Sequence, residues 1–228
     1  MFYETAKNDH GLPYNPYKSI VVPRPIGWIS TLSRDDVANL APYSQFNNLG
    51  YDPPYVMFSA GSNPEDARRK DSVVNAIDTR EFVCSMATYD LREAVDRSSH
   101  YVDPEIDEFD YAGVTKEESR MVRAPRVAEA PVHLECRFDQ CVVLPGNYPE
   151  HTVHMIIGEV LGVHIRDDAL NAEGKLDIAR LRPLARLGYL DYTSVNSVFT
   201  MDIPDDGREG LRRRGMGGEA RGRPKAVG

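Results

Sequence analysis

The chain has 228 residues, 41% of them hydrophobic, with 27 basic and 35 acidic side chains and a formal net charge of −8. That length suits one large domain with its own core. The charge is uneven: residues 207–228 hold seven Lys or Arg and two Glu, while the other 206 residues hold 20 basic and 33 acidic groups, so an acidic body argues against nucleic-acid binding.

The N-terminus, MFYETAKNDH, has no basic stretch followed by an apolar core, and so no secretory signal is expected. Residues 1–22 place Pro13 and Pro16 among Phe2, Tyr3, Tyr14 and Tyr17, which predicts an extended arm packed on the body. Three short strands follow: Ile26–Leu32, Leu40–Leu49 and Tyr55–Ala60, with Asp52-Pro53-Pro54 closing the second. Together Pro23–Gly61 holds the only Trp, Trp28, beside Ser30 and Thr31, and then Ser44, Gln45, Phe46 and Asn47. Small hydroxyls and amides next to aromatic rings suit a planar ligand with polar edges. Trp28 and Phe46 equally suit a plain apolar core.

After Gly61 the period changes. Val73, Val74, Ala76 and Ile77 are spaced as on a helix, with Asp71 or Ser72 as N-cap. Phe82–Met86 reads as a strand, and Leu91–Ser99 as a helix with Leu91, Ala94 and Val95 on one face. Residues 101–118 are rich in Asp and Glu and predict a surface excursion or lid. Ala130–Val143 and Val153–Ile165 are the longest strand candidates, joined as a hairpin. The apolar run Met155–Val163 is broken by Glu159 and is too short to span a bilayer. Asp177–Leu184 is a short helix or turn. Cys84, Cys136 and Cys141 are an odd number in apolar surroundings, which suits reduced thiols in a cytoplasm. The Gly- and Arg-rich tail from 207 has almost no large apolar side chain and is expected to be disordered. Many strands with short helices suggest an antiparallel barrel, and neither GxGxxG nor GxxxxGK[ST] occurs.

Three constellations bear on chemistry. Arg68-Arg69-Lys70 runs straight into a helix start at Asp71-Ser72, where free amides, the helix dipole and the cations favour a phosphate; a solvated basic turn is the alternative. His133, Cys136, Cys141, His151, His154 and His164 lie on the late strands, but their spacing matches no metal-ligand pattern, so no metal is expected. His154 is the candidate catalytic residue, as an electrostatic or proton-donating neighbour of a redox ligand. No GxSxG is present, and Cys84 sits in an apolar strand, which leaves nucleophilic catalysis unsupported.

Taken in order, PRPIGWIST, NLAPYSQFN, DPPYVMFSAG, RKDSVVNAIDTREFVCSM and the Gly158-Glu159-Val160 block resemble the flavin reductase-like, FMN-binding split-barrel family, nearest its flavoredoxin-like branch. The resemblance covers about Pro16 to Tyr192. It implies a six-stranded antiparallel split β-barrel with Greek-key connections, over a domain of 1–206, and a homodimer with FMN near the subunit interface. It implies that Trp28, Ile29, Ser30 and Thr31 line the ring and ribityl side. Ser44, Gln45, Phe46 and Asn47 would meet the ring edge and ribityl phosphate, and Arg69, Lys70, Asp71 and Ser72 would hold the phosphate. In the turn before Asn39-Leu40-Ala41-Pro42, where family members often carry Gly, this chain has Arg34-Asp35-Asp36-Val37. The implied activity is NAD(P)H-dependent flavin reduction, with NADH or NADPH as co-substrate. The acceptor would be free flavin, oxygen, or a partner oxygenase or redox protein. Alternatives are a non-enzymatic FMN electron carrier, a split barrel holding haem or a deazaflavin, or a function carried by the basic tail.

Overall fold

The structure is a computed structural model and describes residues 1–103 and 105–201. The chain divides into one unit of Met1–Asn196 and a second from Ser197 onward. The expected basic tail, 207–228, lies outside the described residues.

The main element is a seven-stranded antiparallel sheet. Five of its strands are β2 (Gly27–Leu32), β3 (Ala38–Tyr43), β4 (Phe46–Tyr51), β5 (Pro54–Gly61) and β6 (Glu81–Met86), with β1 (Arg24–Pro25) standing outside it. The helix α1 (Asp71–Thr79) connects β5 to β6; α2 (Arg92–Arg97) and α3 (Glu108–Ala112) follow. After the small hairpin β7 (Lys116–Glu117) and β8 (Arg126–Val127), the sheet is completed by β9 (Val132–Leu144) and β10 (Val153–Ile165). The order is β3-β2-β6-β9-β10-β5-β4. A one-turn helix α4 (Ile178–Leu181) leads to β11 (Leu184–Gly188) and β12 (Asp191–Ser194), which form a second sheet with β1.

The expected strand Leu40–Leu49 is two strands. Its first half pairs with β2 as far as Tyr43↔Gly27, and its second half pairs with β5 from Phe46↔Phe58. The break is at Ser44-Gln45, where the chain crosses between the two edges of the sheet. The Gln45 carbonyl accepts from Ser59 N at 2.9 Å, so the crossing is itself fastened to β5. The edges meet: the Tyr43 and Phe58 rings are 5.0 Å apart, and the Phe46 ring lies where a side chain on Gly27 would be. The sheet is thus rolled into a split barrel, as the sequence led one to expect, with one more strand in its order than the six implied.

β2 is buried on both faces and separates two cores. Trp28 joins Leu40, Val95, Phe109 and Leu184 on the side of α2 and α3, and Ile29 joins Phe58, Val73, Phe82 and Ile156 in the barrel interior. The turn between β2 and β3 shows how this chain manages without Gly. Asp36 takes a left-handed conformation (φ 61°), and Ser33 Oγ accepts from Asp35 N and Val37 N at 3.2 and 3.0 Å. Asp tolerates that region better than most side chains.

The acidic stretch is only partly a surface excursion. Glu108, Phe109 and Ala112 are buried, and Asp107 caps α3 through a bond from Phe109 N at 3.0 Å. Phe109 fills the first core, so the stretch is anchored as a wall and does not ride free above the barrel.

Gly158 sits at a bulge of β10 opposite Phe138 on β9. A Cβ there would lie 2.5 Å from the Phe82 ring and 3.0 Å from the Arg137 carbonyl. Gly158→Ala is therefore expected to cost roughly 1–3 kcal/mol by overpacking. Equilibrium denaturant unfolding checks this; a variant as stable as the parent would show that Phe82 has room to move.

Candidate functional site

The site is built around the start of α1. Lys70 occupies the N-cap position with no side-chain cap, and Asp71 is the first helical residue. The expected cap by Asp71 or Ser72 does not form, because the helix begins at Asp71 and both residues lie inside its first turn. The Ser72 hydroxyl donates instead to Asn39 Oδ1 at 2.6 Å. The Thr31 hydroxyl donates to the same oxygen at 3.3 Å, and Asn75 Nδ2 donates to Thr31 Oγ1 at 3.2 Å. Asn39 Nδ2 donates to Glu108 Oε1 at 2.5 Å, and Leu40 N donates to Glu108 Oε2 at 3.2 Å. One buried polar network thus joins β2, β3, α1 and α3. The α1 start is left with its N-terminal amides open and a cation beside them.

A cavity of about 230 Å³ opens over this network, lined by Asn39, Pro42, Tyr43, Lys70–Ser72, Ser99 and Tyr101 among others. Lys70 Nζ lies 3.7 Å from the centre of the Tyr101 ring. Burial pushes the Tyr43 phenol well above its ordinary range, so it stays a neutral hydroxyl there; the Ser72 hydroxyl pulls the other way and the Asp71 charge adds to the rise.

The other expected residues are placed differently. Trp28, Ile29, Ser30 and Thr31 are fully buried. Trp28 Nε1 donates to Ser98 Oγ at 2.9 Å, and Ser30 Oγ donates to the Pro125 carbonyl at 2.5 Å. None of the four lines the cavity: Trp28 belongs to the core beside α2 and α3, Ile29 to the barrel interior, and Thr31 meets the site only through Asn39. Ser44 and Gln45 line a separate cavity beneath the N-terminal arm, and Phe46 lines a third with Cys84 and Leu134. Asn47 is exposed on β4, where its Oδ1 accepts from Asn48 N at 3.0 Å. Pro42 and Tyr43 on one cavity and Ser44 and Gln45 on the next are consecutive, so the β3–β4 crossing connects the two.

Arg69 parts company with Lys70. Its charge acts on His154 of β10 and Cys141 of β9. His154 is buried on β10 with Nδ1 unpartnered, and burial first and Arg69 second hold its imidazole below the ordinary value. It lines none of these three cavities. Asn39, Tyr43, Tyr101 and Glu108 are the site residues that sequence reasoning missed. Asn39 and Tyr43 lie inside the NLAPYSQFN block, the one signal that pointed to them. Among the described residues no group of three or more His, Cys, Asp or Glu is arranged to hold a metal ion.

The arrangement fits the phosphate of FMN. Open helix amides and a cation outside any ion pair are what a phosphate monoester requires. Asp71, in the first turn, opposes it.

Glu108 makes the site pH-sensitive. Burial raises its pKa from 4.5 to about 7, against the hydrogen bonds from its own backbone, Leu40 and Asn39. The folded protein then holds a proton that the unfolded chain has released between those two values. The stability linked to it is complete below about 4.5 and is lost as pH rises through about 7. Relative to Glu108→Gln, the parent is expected to lose stability of order 1–3 kcal/mol between pH 5 and pH 8. Thermal unfolding of both proteins at the two pH values reads this; a gap that does not move with pH would show that Glu108 titrates normally.

Residues 19–189 match the flavin reductase like domain. An uncharacterized protein of Aquifex aeolicus is 38% identical over 188 residues, covering 82% of this chain and 92% of that one. Another, from Halalkalibacterium halodurans, is 35% identical over 184 residues, covering 81% and 87%. Among solved structures, nitrilotriacetate monooxygenase component B from Bacillus cereus superposes with a TM-score of 0.80 at 25% identity, over 88% of this chain and 98% of that one. The flavoredoxin of Desulfovibrio vulgaris gives 0.66 at 21% identity, over 81% and 93%, a likeness of fold. With the split barrel in place and three quarters of its length inside the match, the chain belongs to the flavin reductase-like family of FMN-binding split-barrel proteins.

Proposed function

We propose that this protein is an NAD(P)H-dependent flavin oxidoreductase that holds FMN with its phosphate at the start of α1. The observation that carries the reading is the uncapped α1 N-terminus beside Lys70, open to the cavity. Lys70 and the amides of Asp71 and Ser72 bind the phosphate. Ser44, Gln45 and Asn47, all at least partly exposed, meet the polar edge of the ring, and Phe46 packs on Gly27 beneath it. Trp28, Ile29, Ser30 and Thr31 are buried on β2. The charge of Arg69 acts on His154 and Cys141, on β10 and β9.

When bound, FMN supplies a ring that accepts hydride, while the chain supplies position and charge. This explains why no catalytic triad or carboxylate pair is needed. The hydride donor is NADH or NADPH. The acceptor is free flavin, oxygen or a partner oxygenase or redox protein; the likeness to a monooxygenase component supports an oxygenase partner. The cavity of about 230 Å³ at Lys70 holds only the phosphate end of such a ligand, so a second copy of the chain completes the site as a homodimer. Three unpaired cysteines suit a reducing cytoplasm, and among the described residues no helix is long and apolar enough to cross a membrane.

Two measurements test the reading. Purified protein with FMN is expected to oxidise NADH or NADPH, followed at the nicotinamide absorbance band; oxidation of neither sinks the enzyme assignment. Lys70→Ala is expected to weaken FMN binding about tenfold or more, the value of one charge-assisted bond, and Arg69→Ala by less. Titration of flavin fluorescence compares them, and equal affinity in Lys70→Ala and parent would move the phosphate elsewhere.

A further inference from the structure

The N-terminal arm is fastened to the body. Ser19 Oγ donates to the Leu187 carbonyl at 2.6 Å, and the Tyr14 and Tyr189 rings are 5.7 Å apart. Gly188 has φ +100°, and the Lys18 carbonyl occupies the space a side chain there would need. Arg24 donates through one terminal nitrogen to the Val21 carbonyl at 2.7 Å and the Lys18 carbonyl at 3.4 Å. Between arm and barrel this leaves a cavity of about 530 Å³, the one that Ser44 and Gln45 line.

Its charge is one-sided. Lys18, Arg24 and Arg186 all line it, and no carboxylate does. Arg24 and Arg186 are direct cross-strand partners in the β1–β11 ladder, an arrangement of like charges that is unfavourable unless an anion lies between them. Among the described residues none of the three is in an ion pair, whereas most other arginines of this acidic chain are. Arg24 Nε is buried and has no hydrogen-bond partner. An unpaired buried donor is costly, and the terminal nitrogen of Arg24 holds only backbone carbonyls, so its charge is left without an anion.

Two cationic centres therefore flank the run Pro42–Gln45: Lys70 with α1 on one side, and Lys18, Arg24 and Arg186 on the other. If the first takes the phosphate of FMN and its ring runs along the crossing, the arm cavity is the open space beside that ring for a hydride donor. We propose that Lys18, Arg24 and Arg186 receive the diphosphate of the nicotinamide dinucleotide. The arm is then part of the donor site and is no mere extension. This rests on the functional reading above.

The experiment separates the two. The full-length protein, in a Lys70→Ala background that weakens the α1 site, is titrated with inorganic pyrophosphate by calorimetry. Binding is expected, and addition of Lys18→Ala with Arg186→Gln is expected to weaken it at least tenfold. Lys18→Ala alone, at an exposed position, is expected to give part of that loss and guards against misfolding of the double variant. In the otherwise unmodified FMN-loaded protein, the pair is expected to lower kcat/KM for the dinucleotide, relative to that for a phosphate-free dihydronicotinamide, by the same factor. Pyrophosphate binding that is absent at the start, or that survives both substitutions, overturns the proposal, as does an equal loss for both donors. A parent protein that oxidises neither dinucleotide instead overturns the functional reading, while the calorimetry still decides whether the arm cavity takes a diphosphate.

Discussion

The Asn39 side chain is the constraint on which the site depends. Its carbonyl oxygen accepts from Thr31 on β2 and Ser72 on α1, and its amide group donates to Glu108 on α3. Three elements far apart in sequence are thereby held at one point. Each such bond contributes only about 1 kcal/mol net, but a buried group left unpaired costs up to about 3 kcal/mol, so the network holds as a unit. Its most important effect is indirect. By holding Ser72, Asn39 fixes the start of α1, whose cap position falls on Lys70, a side chain with no acceptor to close the helix amides.

Glu108 has a cost and a use. Three hydrogen bonds to its carboxylate favour the ionised form, yet burial outweighs them. A carboxylate close to a phosphate site would repel the ligand if it were fully ionised. Held with a pKa near 7, it is protonated over part of the neutral range, and a bound phosphate pushes it further toward the neutral acid. The same residue fixes the Asn39 amide in the orientation that Thr31 and Ser72 require. Structural and electrostatic roles therefore pull on one group in opposite directions.

Much of the barrel was legible because its strands carry local signals. The hairpin of β9 and β10, the run GWISTL and the helix after Asp71 are found where side-chain pattern places them. The misreadings share a cause: each was decided by a partner distant in sequence. No Gly or Pro marks Ser44-Gln45, where the chain leaves β2 for β5, so LAPYSQFNNL reads as one strand. The acidity of 101–118 suggests solvent, but Glu108 is buried by Asn39 and Leu40, about 70 residues earlier.

The crossing at Ser44-Gln45 ties fold to function. Joining the two edges of one sheet requires a short segment that belongs to neither ladder, and such a segment has polar groups that are not all taken up by strand pairing. Here Gln45 gives its carbonyl to Ser59, while its side chain and that of Ser44 remain at the cavity wall. Closure of the barrel thus places unclaimed polar groups midway between Lys70 and the arm's three cations. A flat ligand with hydrogen-bonding edges and an anionic end matches that spacing of functions. The arm matters for the same reason: without its docking on Gly188, Arg24 would lose the carbonyls of Lys18 and Val21 that hold it, and Lys18 would leave the cavity. The arm, expected from sequence to pack on the body, is therefore also part of the wall that gives the crossing a second charged side.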